Sequence, residues 1–190
     1  MSIKIYFDMD GVLADFEKSA TKIVREIAPK ASCYNYADLN RPSECLTPDQ
    51  KEIKVQFWRS LAGTDFFKNL YVLSGANEMV KLAYEIVDEN LFILSKAPSA
   101  SNFEPGSDEQ EIMAQQKIDW ALDKFSDYFL PENVIIVKGG KKGDFIKPTK
   151  TDILIDDRHD NIENWESIGG SGILYTSAEN VMKELNLYRN

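Results

Sequence analysis

The first residues of the chain carry the feature that most restricts its fold, a short apolar strand that ends in two carboxylates. Apolar side chains alternate over residues 3–7, and Asp8 and Asp10 follow directly. Gly11 then allows a sharp turn. Ligands of an open α/β sheet bind at the carboxyl ends of its strands, so we expect both carboxylates to face one crevice. Two like charges this close repel each other, which favours a bound cation or a shared proton.

A second short strand, predicted at residues 153–155, also ends in adjacent carboxylates, those of Asp156 and Asp157. Together with the first pair, these side chains form a set of oxygen ligands suited to Mg²⁺. This hard cation is usually held by a few carboxylates, water and substrate phosphate. The two distant stretches therefore predict a single metal site.

Both acidic stretches resemble motifs of the haloacid dehalogenase superfamily. The sequence DMDGV at residues 8–12 resembles its nucleophile motif, and IDD at residues 155–157 resembles its last acidic motif. Between these motifs the superfamily has a Ser or Thr at a strand end and then a lysine. Ser95 and Lys117 match both in order and in spacing.

Residues 8–16 and 154–170 resemble, more narrowly, the 5′(3′)-deoxyribonucleotidases. We therefore expect a Mg²⁺-dependent phosphatase that hydrolyses deoxynucleoside monophosphates. One alternative keeps the chemistry but changes the substrate to a sugar phosphate or a polynucleotide 3′-phosphate end. Another is a binding protein that keeps the pocket without turnover, against which the intact set of motif residues argues.

The resemblance implies a role for each acidic residue. Asp8 would be the nucleophile that forms an aspartyl-phosphate, and Asp10 would be the general acid and base. Haloacid dehalogenases lack this second acid, so Asp10 favours a phosphatase. The metal ligands would be Asp8, Asp10 through its backbone carbonyl, Asp156 and Asp157. Only one of the last two needs to bind the metal directly, and the sequence leaves open which.

The same resemblance assigns phosphate binding to side chains near the strand ends. Ser95 would hydrogen-bond a phosphate oxygen, and Lys117, which interrupts the apolar face of a predicted helix, would direct its ammonium at the nucleophile and phosphate. Lys96 stands where the deoxyribonucleotidases usually have a small polar residue, and it either binds phosphate or reaches solvent. Lys141 and Lys142 are alternatives to Lys117, although lysines in such a glycine-rich loop are more often solvated.

Strands and helices alternate along the rest of the chain, which predicts a parallel sheet with helices on both faces. Strands are expected at residues 91–95, 134–137, 153–155 and 172–175. Helices are expected at residues 16–32, 48–62 with Thr47 as N-cap, 77–89, 111–125, 161–168 and after Ser177. Residues 33–47, 99–108 and 139–144 are predicted to be loops.

No strand alternation persists between residues 15 and 72, so helices intervene between the first two strands. By resemblance this insertion is a small helical cap of residues 16–75 on a doubly wound α/β core of residues 1–15 and 76–190. Aromatic side chains are frequent in the cap, and most of them must form its own core. Trp58, Phe66 and Phe67 are the candidates that would stack on a nucleotide base.

The formal net charge of −9 argues against a broad basic surface for extended nucleic acid. A small phosphorylated substrate stays compatible with it, because nearby groups decide binding at physiological salt. No apolar run approaches the length of a membrane span. The chain enters a strand at once, so we expect no signal peptide and a cytoplasmic protein in which Cys33 and Cys45 are reduced thiols. A homodimer is left open.

Overall fold

The computed structural model describes residues 2–28, 34–41 and 43–189 of the chain. Its strands are β1 (Lys4–Phe7), β2 (Leu91–Lys96), β3 (Val134–Val137), β4 (Asp152–Asp156) and β5 (Ser171–Leu174). Its α-helices are α1 (Phe16–Ile27), α2 (Tyr36–Leu39), α3 (Pro48–Ser60), α4 (Ala76–Val87), α5 (Glu109–Phe125), α6 (Lys142–Ile146), α7 (His159–Ser167) and α8 (Ala178–Leu185).

The five strands form one parallel sheet in the order β3-β2-β1-β4-β5. Strand β1 lies in the middle, where Phe7 is opposite Ile93 of β2 on one side and Ile155 of β4 on the other. From β1 the chain moves outward through β2 and β3, and it then returns to place β4 on the other side of β1. The strand order therefore reverses at β1, which is where open α/β sheets bind their ligands.

Side chains that alternate along the strands separate two apolar cores. Ile5 and Phe7 of β1 belong to a core that includes residues of α4, α5 and α8, whereas Tyr6 belongs to a second core with Trp165 of α7. Helices therefore cover both faces, and the predicted doubly wound α/β fold is confirmed. Most predicted strands and helices lie within two residues of the observed bounds.

The insertion after β1 is helical, as predicted. It consists of α1, α2 and α3, and it leads back to the sheet through a 3₁₀ turn at Phe67–Asn69. The outgoing and returning chains run side by side, because Asp15 N donates to Tyr71 O at 2.8 Å and Leu73 N donates to Leu13 O at 2.8 Å. These two bonds hold the entrance and the exit of the insertion together beside the end of β1.

Two predicted loops contain short helices instead, so those predictions are wrong. The segment predicted as loop at 33–47 includes α2, where Tyr36 N donates to Thr21 Oγ1 at 2.9 Å across the insertion. The segment predicted as loop at 139–144 enters α6, where Asp144 accepts a hydrogen bond from Lys141 N at 2.9 Å. Such short helices depend on capping and on tertiary contacts rather than on apolar periodicity.

Residues 29–32 of the predicted first helix, together with Cys33, lie outside the described residues. Cys45 lies among the described residues, where it is an exposed free cysteine. No helix in the described part of the chain has both the length and the apolar character needed to cross a bilayer.

The start of α3 provides a test of the local sequence signals. Thr47 Oγ1 accepts a hydrogen bond from Gln50 N at 3.2 Å, and Gln50 Oε1 accepts one from Thr47 N at 2.9 Å. Thr47→Ala removes the first bond and should lower the free energy of unfolding by about 1 kcal/mol. Thr47→Ser is the control, because it keeps the accepting oxygen and should unfold close to the wild type in urea. Equal losses in both variants would contradict the capping role.

Candidate active site

The site lies where β1, β2 and β4 end. Asp8 follows β1 directly, and its backbone N donates to Ile155 O of β4 at 2.8 Å, so the sheet continues up to the carboxylate. Asp156 is the last residue of β4, and Ser95 lies near the end of β2. Because these strands are parallel neighbours, their carboxyl ends bring the three side chains to one edge of the sheet.

Asp8 and Asp156 share a buried lysine, Lys142. The Lys142 side chain is only 3% exposed, and its Nζ donates to Asp156 Oδ2 at 2.5 Å. The same Nζ lies 2.9 Å from Asp8 Oδ1, close enough for an ion pair. Asp156 is held further by Arg158 N at 2.9 Å and by Asn161 Nδ2, which lies 3.0 Å from each carboxylate oxygen.

Asp10 is paired with the other buried lysine, Lys117. Lys117 Nζ donates to Asp10 Oδ2 at 2.6 Å, to Ser95 Oγ at 3.3 Å and to the backbone oxygen of Lys96 at 2.7 Å. The sequence presented Lys117, Lys141 and Lys142 as alternatives for one lysine. The structure instead places Lys117 and Lys142 in the site together and leaves Lys141 exposed as the N-cap of α6.

Three carboxylates fit a divalent cation. Asp8, Asp156 and Asp157 each offer an oxygen, and these oxygens lie within 4.8 Å of one another. Asp8 Oδ1 is buried and lies 2.9 Å from Lys142 Nζ, so a cation held here would share the Asp8 carboxylate with that ammonium group. An all-oxygen set of this kind suits Mg²⁺ or a similar hard cation. The Asp10 carboxylate lies outside this cluster, in its pair with Lys117.

The pKa values of the carboxyl groups diverge. Burial by itself would raise the pKa of Asp8, but the charges of Lys142 and Lys117 outweigh it and hold the pKa below its ordinary value. Burial raises the pKa of Asp10 against the opposing charge of Lys117, and the nearby Asp8 raises it further. Asp157 is partly open to solvent, yet desolvation and the charges of Asp8 and Asp156 raise its pKa to about 7. The site thus lowers the pKa of Asp8 and raises that of Asp10, a division suited to a nucleophile and an acid.

A cavity of about 590 Å³ opens above these groups and extends to the helical insertion. Phe16, Tyr36 and Trp58 line its far side, and Lys96 and Asn161 line the side near the strands. Lys96 is half-buried, and its Nζ lies 3.4 Å from Asn161 Oδ1. The cavity therefore joins a polar end beside the carboxylates to an aromatic end in the insertion.

The three aromatic residues predicted to stack on a base occupy different places. Trp58 is partly exposed and lines the cavity. Phe67 also lines it, but its side chain is fully buried and its ring lies beneath Lys117 Nζ, 4.7 Å from the ring centroid. Phe66 does not line this cavity and packs edge-on against Phe16 and Phe57. Of the three, only Trp58 presents exposed ring surface to a ligand.

Sequence reasoning assigned no role to Asn161 and did not foresee that Lys142 is buried. Asn161 is in the first turn of α7, and Lys142 is the first residue of α6. One signal was available for Lys142, because Asp144, three residues after Lys141, marks a helix start of the kind seen here. No comparable local signal distinguishes Asn161 from a solvated helix residue.

Comparison with known proteins identifies the family. A model of the family described as 5′ nucleotidase, deoxy (pyrimidine), cytosolic type C protein matches residues 1–189. The chain belongs to this family. Members are phosphoric monoester hydrolases of the 5′-nucleotidase type, so the protein is an enzyme of that class.

Two curated relatives cover most of the chain. The mouse (Mus musculus) mitochondrial 5′(3′)-deoxyribonucleotidase is 26% identical over 189 residues, which is 97% of this chain and 77% of the relative. The human (Homo sapiens) mitochondrial 5′(3′)-deoxyribonucleotidase is 25% identical over 184 residues, which is 94% of this chain and 72% of the relative.

Solved structures support the fold. A haloacid dehalogenase-like hydrolase from Streptococcus pneumoniae superposes with a TM-score of 0.59 at 17% identity, covering 99% of this chain and 91% of its own. The L-2-haloacid dehalogenase from Xanthobacter autotrophicus superposes with a TM-score of 0.55 at 15% identity, covering 98% of this chain and 83% of its own. The core is therefore that of the haloacid dehalogenase fold, as the motifs predicted.

Gly11 tests how closely the carboxylates are packed. It has φ of +78°, and a Cβ atom added to it would lie 2.4 Å from Asp157 Oδ2. Gly11→Ala should therefore displace Asp157 and lower phosphatase turnover by about tenfold or more, given the usual cost of misplacing a group at a reacting centre. Gly63→Ala is the matched control, because Gly63 has φ of +69° but nothing within 4 Å of its added Cβ. Both variants should lose stability on thermal unfolding, and equal turnover in the two would contradict the steric argument.

Proposed function

We propose that the protein is a Mg²⁺-dependent 5′(3′)-deoxyribonucleotidase that hydrolyses deoxynucleoside monophosphates through an aspartyl-phosphate. The observation that carries this proposal is the arrangement around Asp8. Its carboxylate is buried at the point where the strand order reverses, lies 2.9 Å from Lys142 Nζ, and belongs to a cluster with Asp156 and Asp157. Family membership and the names of the two relatives support the substrate class.

In the first half-reaction, a carboxylate oxygen of Asp8 attacks phosphorus and the bond from phosphorus to the sugar oxygen breaks. Asp10 gives its proton to that oxygen, which leaves as the nucleoside hydroxyl. In the second half-reaction, Asp10 takes a proton from water as the water attacks phosphorus. The bond from phosphorus to Asp8 breaks, inorganic phosphate leaves, and Asp8 is a carboxylate again.

A divalent cation, Mg²⁺ in this proposal, would be held by Asp8 with Asp156, Asp157 or both, and it would supply positive charge that screens the carboxylate from the incoming phosphate. The Ser95 hydroxyl would donate a hydrogen bond to a phosphate oxygen. Lys142 and Lys96 supply positive charge from α6 and from the end of β2. Lys96 has no carboxylate within ion-pair distance among the residues described, so its charge is available to the phosphate.

The insertion would act as the cap that selects the substrate. Tyr36 and Trp58 line the cavity across from the carboxylates and offer apolar ring surface to a base while the phosphate reaches Asp8. A pocket that buries a sugar 2′-hydroxyl without a partner loses about 1–3 kcal/mol, or about ten- to a hundredfold in affinity. Such a pocket favours the deoxy sugar.

A sugar phosphate is the second candidate substrate class. Asp15, Glu17 and Asn40 also line the cavity, and their oxygen and amide groups can hydrogen-bond a polyol. A panel of phosphate monoesters that includes deoxynucleotides, ribonucleotides and sugar phosphates decides between the two classes. A ranking led by sugar phosphates would replace the nucleotide assignment and keep the chemistry.

Asp8→Asn tests the covalent mechanism. The amide is a poor nucleophile of nearly the same shape, so turnover should fall below detection while the thermal unfolding temperature stays near that of the wild type. Beryllium fluoride, which mimics an acyl-phosphate, should inhibit the wild type. Asp123→Asn, an exposed change on α5, is the control and should keep full activity. Near-normal turnover by Asp8→Asn would exclude Asp8 as the nucleophile.

The substrate preference is tested by the ratio of kcat/KM for dUMP to that for UMP. We expect the deoxy substrate to be favoured by about tenfold or more, because of the cost of burying an unpartnered hydroxyl. Trp58→Ala should lower kcat/KM for dUMP more than for p-nitrophenyl phosphate, since stacking on a base contributes about 1–3 kcal/mol. Val55→Ala, an exposed change on the same helix, serves as the control.

Omission of Mg²⁺ with EDTA should abolish turnover of both substrates.

A further inference from the structure

The hydrogen bonds of Lys117 leave nothing for a phosphate. The side chain is 1% exposed, and an ammonium group has three N–H donors. Lys117 Nζ has three acceptors within hydrogen-bond distance: Asp10 Oδ2 at 2.6 Å, Ser95 Oγ at 3.3 Å and the backbone oxygen of Lys96 at 2.7 Å. All three donors are therefore engaged with the protein itself.

Lys142 differs in this respect. Among the residues that the structure describes, its Nζ has two carboxylate oxygens within reach, Asp156 Oδ2 at 2.5 Å and Asp8 Oδ1 at 2.9 Å. One of its three donors therefore remains for a phosphate held against Asp8. The two buried lysines of this site thus differ in the number of N–H donors that they can offer to a phosphate.

We propose that Lys117 is a positioning residue for the acid and for the serine, while contact with the phosphate is left to Lys142. By binding Oδ2 at 2.6 Å, Lys117 fixes the orientation of the Asp10 carboxyl group, whose Oδ1 is buried and accepts no hydrogen bond within the described residues. Because Ser95 Oγ accepts from Lys117, its own hydrogen points away from the ammonium group, toward Asp8 and a phosphate held against it. This inference rests on the proposed function, and it replaces the direct phosphate contact that the resemblance implied for Lys117.

Phe67, in the chain that returns from the cap, contacts the Lys117 ammonium group. Its buried ring lies 4.7 Å from Lys117 Nζ, within the range of a cation–π interaction. Gln116, the neighbour of Lys117 on α5, accepts from Phe67 N at 3.1 Å and donates to Thr64 O at 2.6 Å. The chain that returns from the cap is therefore fixed to the helix that carries Lys117, and Phe67 positions the ammonium.

A double-mutant cycle tests the link between Lys117 and Asp10. Asp10→Asn should lower the rate of nucleotide hydrolysis by about 10²–10⁴-fold. Lys117→Met, which keeps the length of the stem, should lower kcat by about 10- to 100-fold because it removes a charge-assisted hydrogen bond to the acid. In the Asp10→Asn background, Lys117→Met should cost less than about threefold, since residues that act as a unit are not additive. A full loss in that background would overturn the proposal.

The double variant should be more stable than Lys117→Met alone, because Asp10→Asn removes the carboxylate charge that Lys117→Met would leave unpaired. A loss of activity caused by unfolding would therefore show in the single variant and not in the double variant. Lys142→Met is the matched control in the same background. Its loss should persist in full, since Lys142 acts on Asp8 and phosphate rather than on Asp10. Loss of the Lys142 effect in the Asp10→Asn background would mean that the cycle reports general damage to the site, and the proposal would fail.

Inorganic phosphate provides a second readout that does not depend on the nucleotide. As a competitive inhibitor of p-nitrophenyl phosphate hydrolysis, it should bind Lys117→Met within about threefold of its wild-type inhibition constant and bind Lys142→Met at least about tenfold more weakly. The opposite order would show that Lys117 is the phosphate ligand. Because p-nitrophenyl phosphate needs little leaving-group protonation, Lys117→Met should also lose less kcat on it than on a nucleotide.

Phe67→Leu and Phe66→Leu complete the test. Phe67→Leu should lower kcat on the best natural ester by about two- to fivefold, the worth of a modest cation–π interaction, and should add nothing once Lys117 is methionine. Phe66 lies next in the chain and packs against Phe16 and Phe57, so Phe66→Leu should have the same effect in both backgrounds. An equal effect of Phe67→Leu in both backgrounds would remove Phe67 from the proposal. If the wild type hydrolyses p-nitrophenyl phosphate but no nucleotide, the proposed substrate is rejected. The double-mutant cycles can then still be measured with p-nitrophenyl phosphate.

Discussion

The repulsion among four carboxylates at the ends of β1 and β4 is the constraint on which the rest of the structure depends. Asp8, Asp10, Asp156 and Asp157 would destabilise this edge of the sheet if nothing compensated their charge. Lys142 bridges the ends of β1 and β4, and Lys117 bridges the end of β1 and the end of β2. The cations that make the acidic cluster tolerable thus also fix the ends of three neighbouring strands relative to one another.

Buried ion pairs of this kind contribute little net stability, because removing two charges from water costs about as much as their attraction returns. Lys117 and Lys142 are almost fully buried and come from helices α5 and α6, which are far apart in the sequence. Apolar replacement of both partners of a buried ion pair is often neutral or stabilising. The presence of the two lysines therefore fits the roles that we propose for Asp8 and Asp10 better than a role in stabilising the sheet.

Helix α5 connects that chemistry to the cap. Glu109 accepts from Gly63 N at 3.1 Å, Gln116 binds Thr64 and Phe67, and Trp120 Nε1 donates to Leu70 O at 2.8 Å. The chain returning from the cap is thus attached to α5 along more than two of its turns, with Lys117 among the attachment points. The returning segment is therefore fixed to the core through α5.

Local patterns predicted what local physics determines. Strand alternation, the acidic strand ends and the Thr47 cap each depend on residues close together in the sequence, and the structure has all three. Lys142 could not be assigned in this way, because its partner Asp8 lies near the other end of the chain and a lysine among glycines is typical of a solvated loop. Phe66 and Phe67 are adjacent and chemically identical, so only the turn at Phe67–Asn69 decides that one faces Lys117 and the other faces the core of the cap.

The charges around the cavity also explain how an acidic protein can hold a phosphate. The carboxylates of Asp8, Asp10, Asp156 and Asp157 lie among the ammonium groups of Lys96, Lys117 and Lys142, and the raised pKa of Asp157, about 7, reduces the negative charge of this cluster. A phosphate dianion that entered alone would add negative charge to the site, and a divalent cation that entered alone would add positive charge. Together they add no net charge, and their direct attraction is strong where water is excluded. Metal and phosphate should therefore bind with positive coupling, and the net charge of −9 matters little because charges beyond about 10 Å are screened.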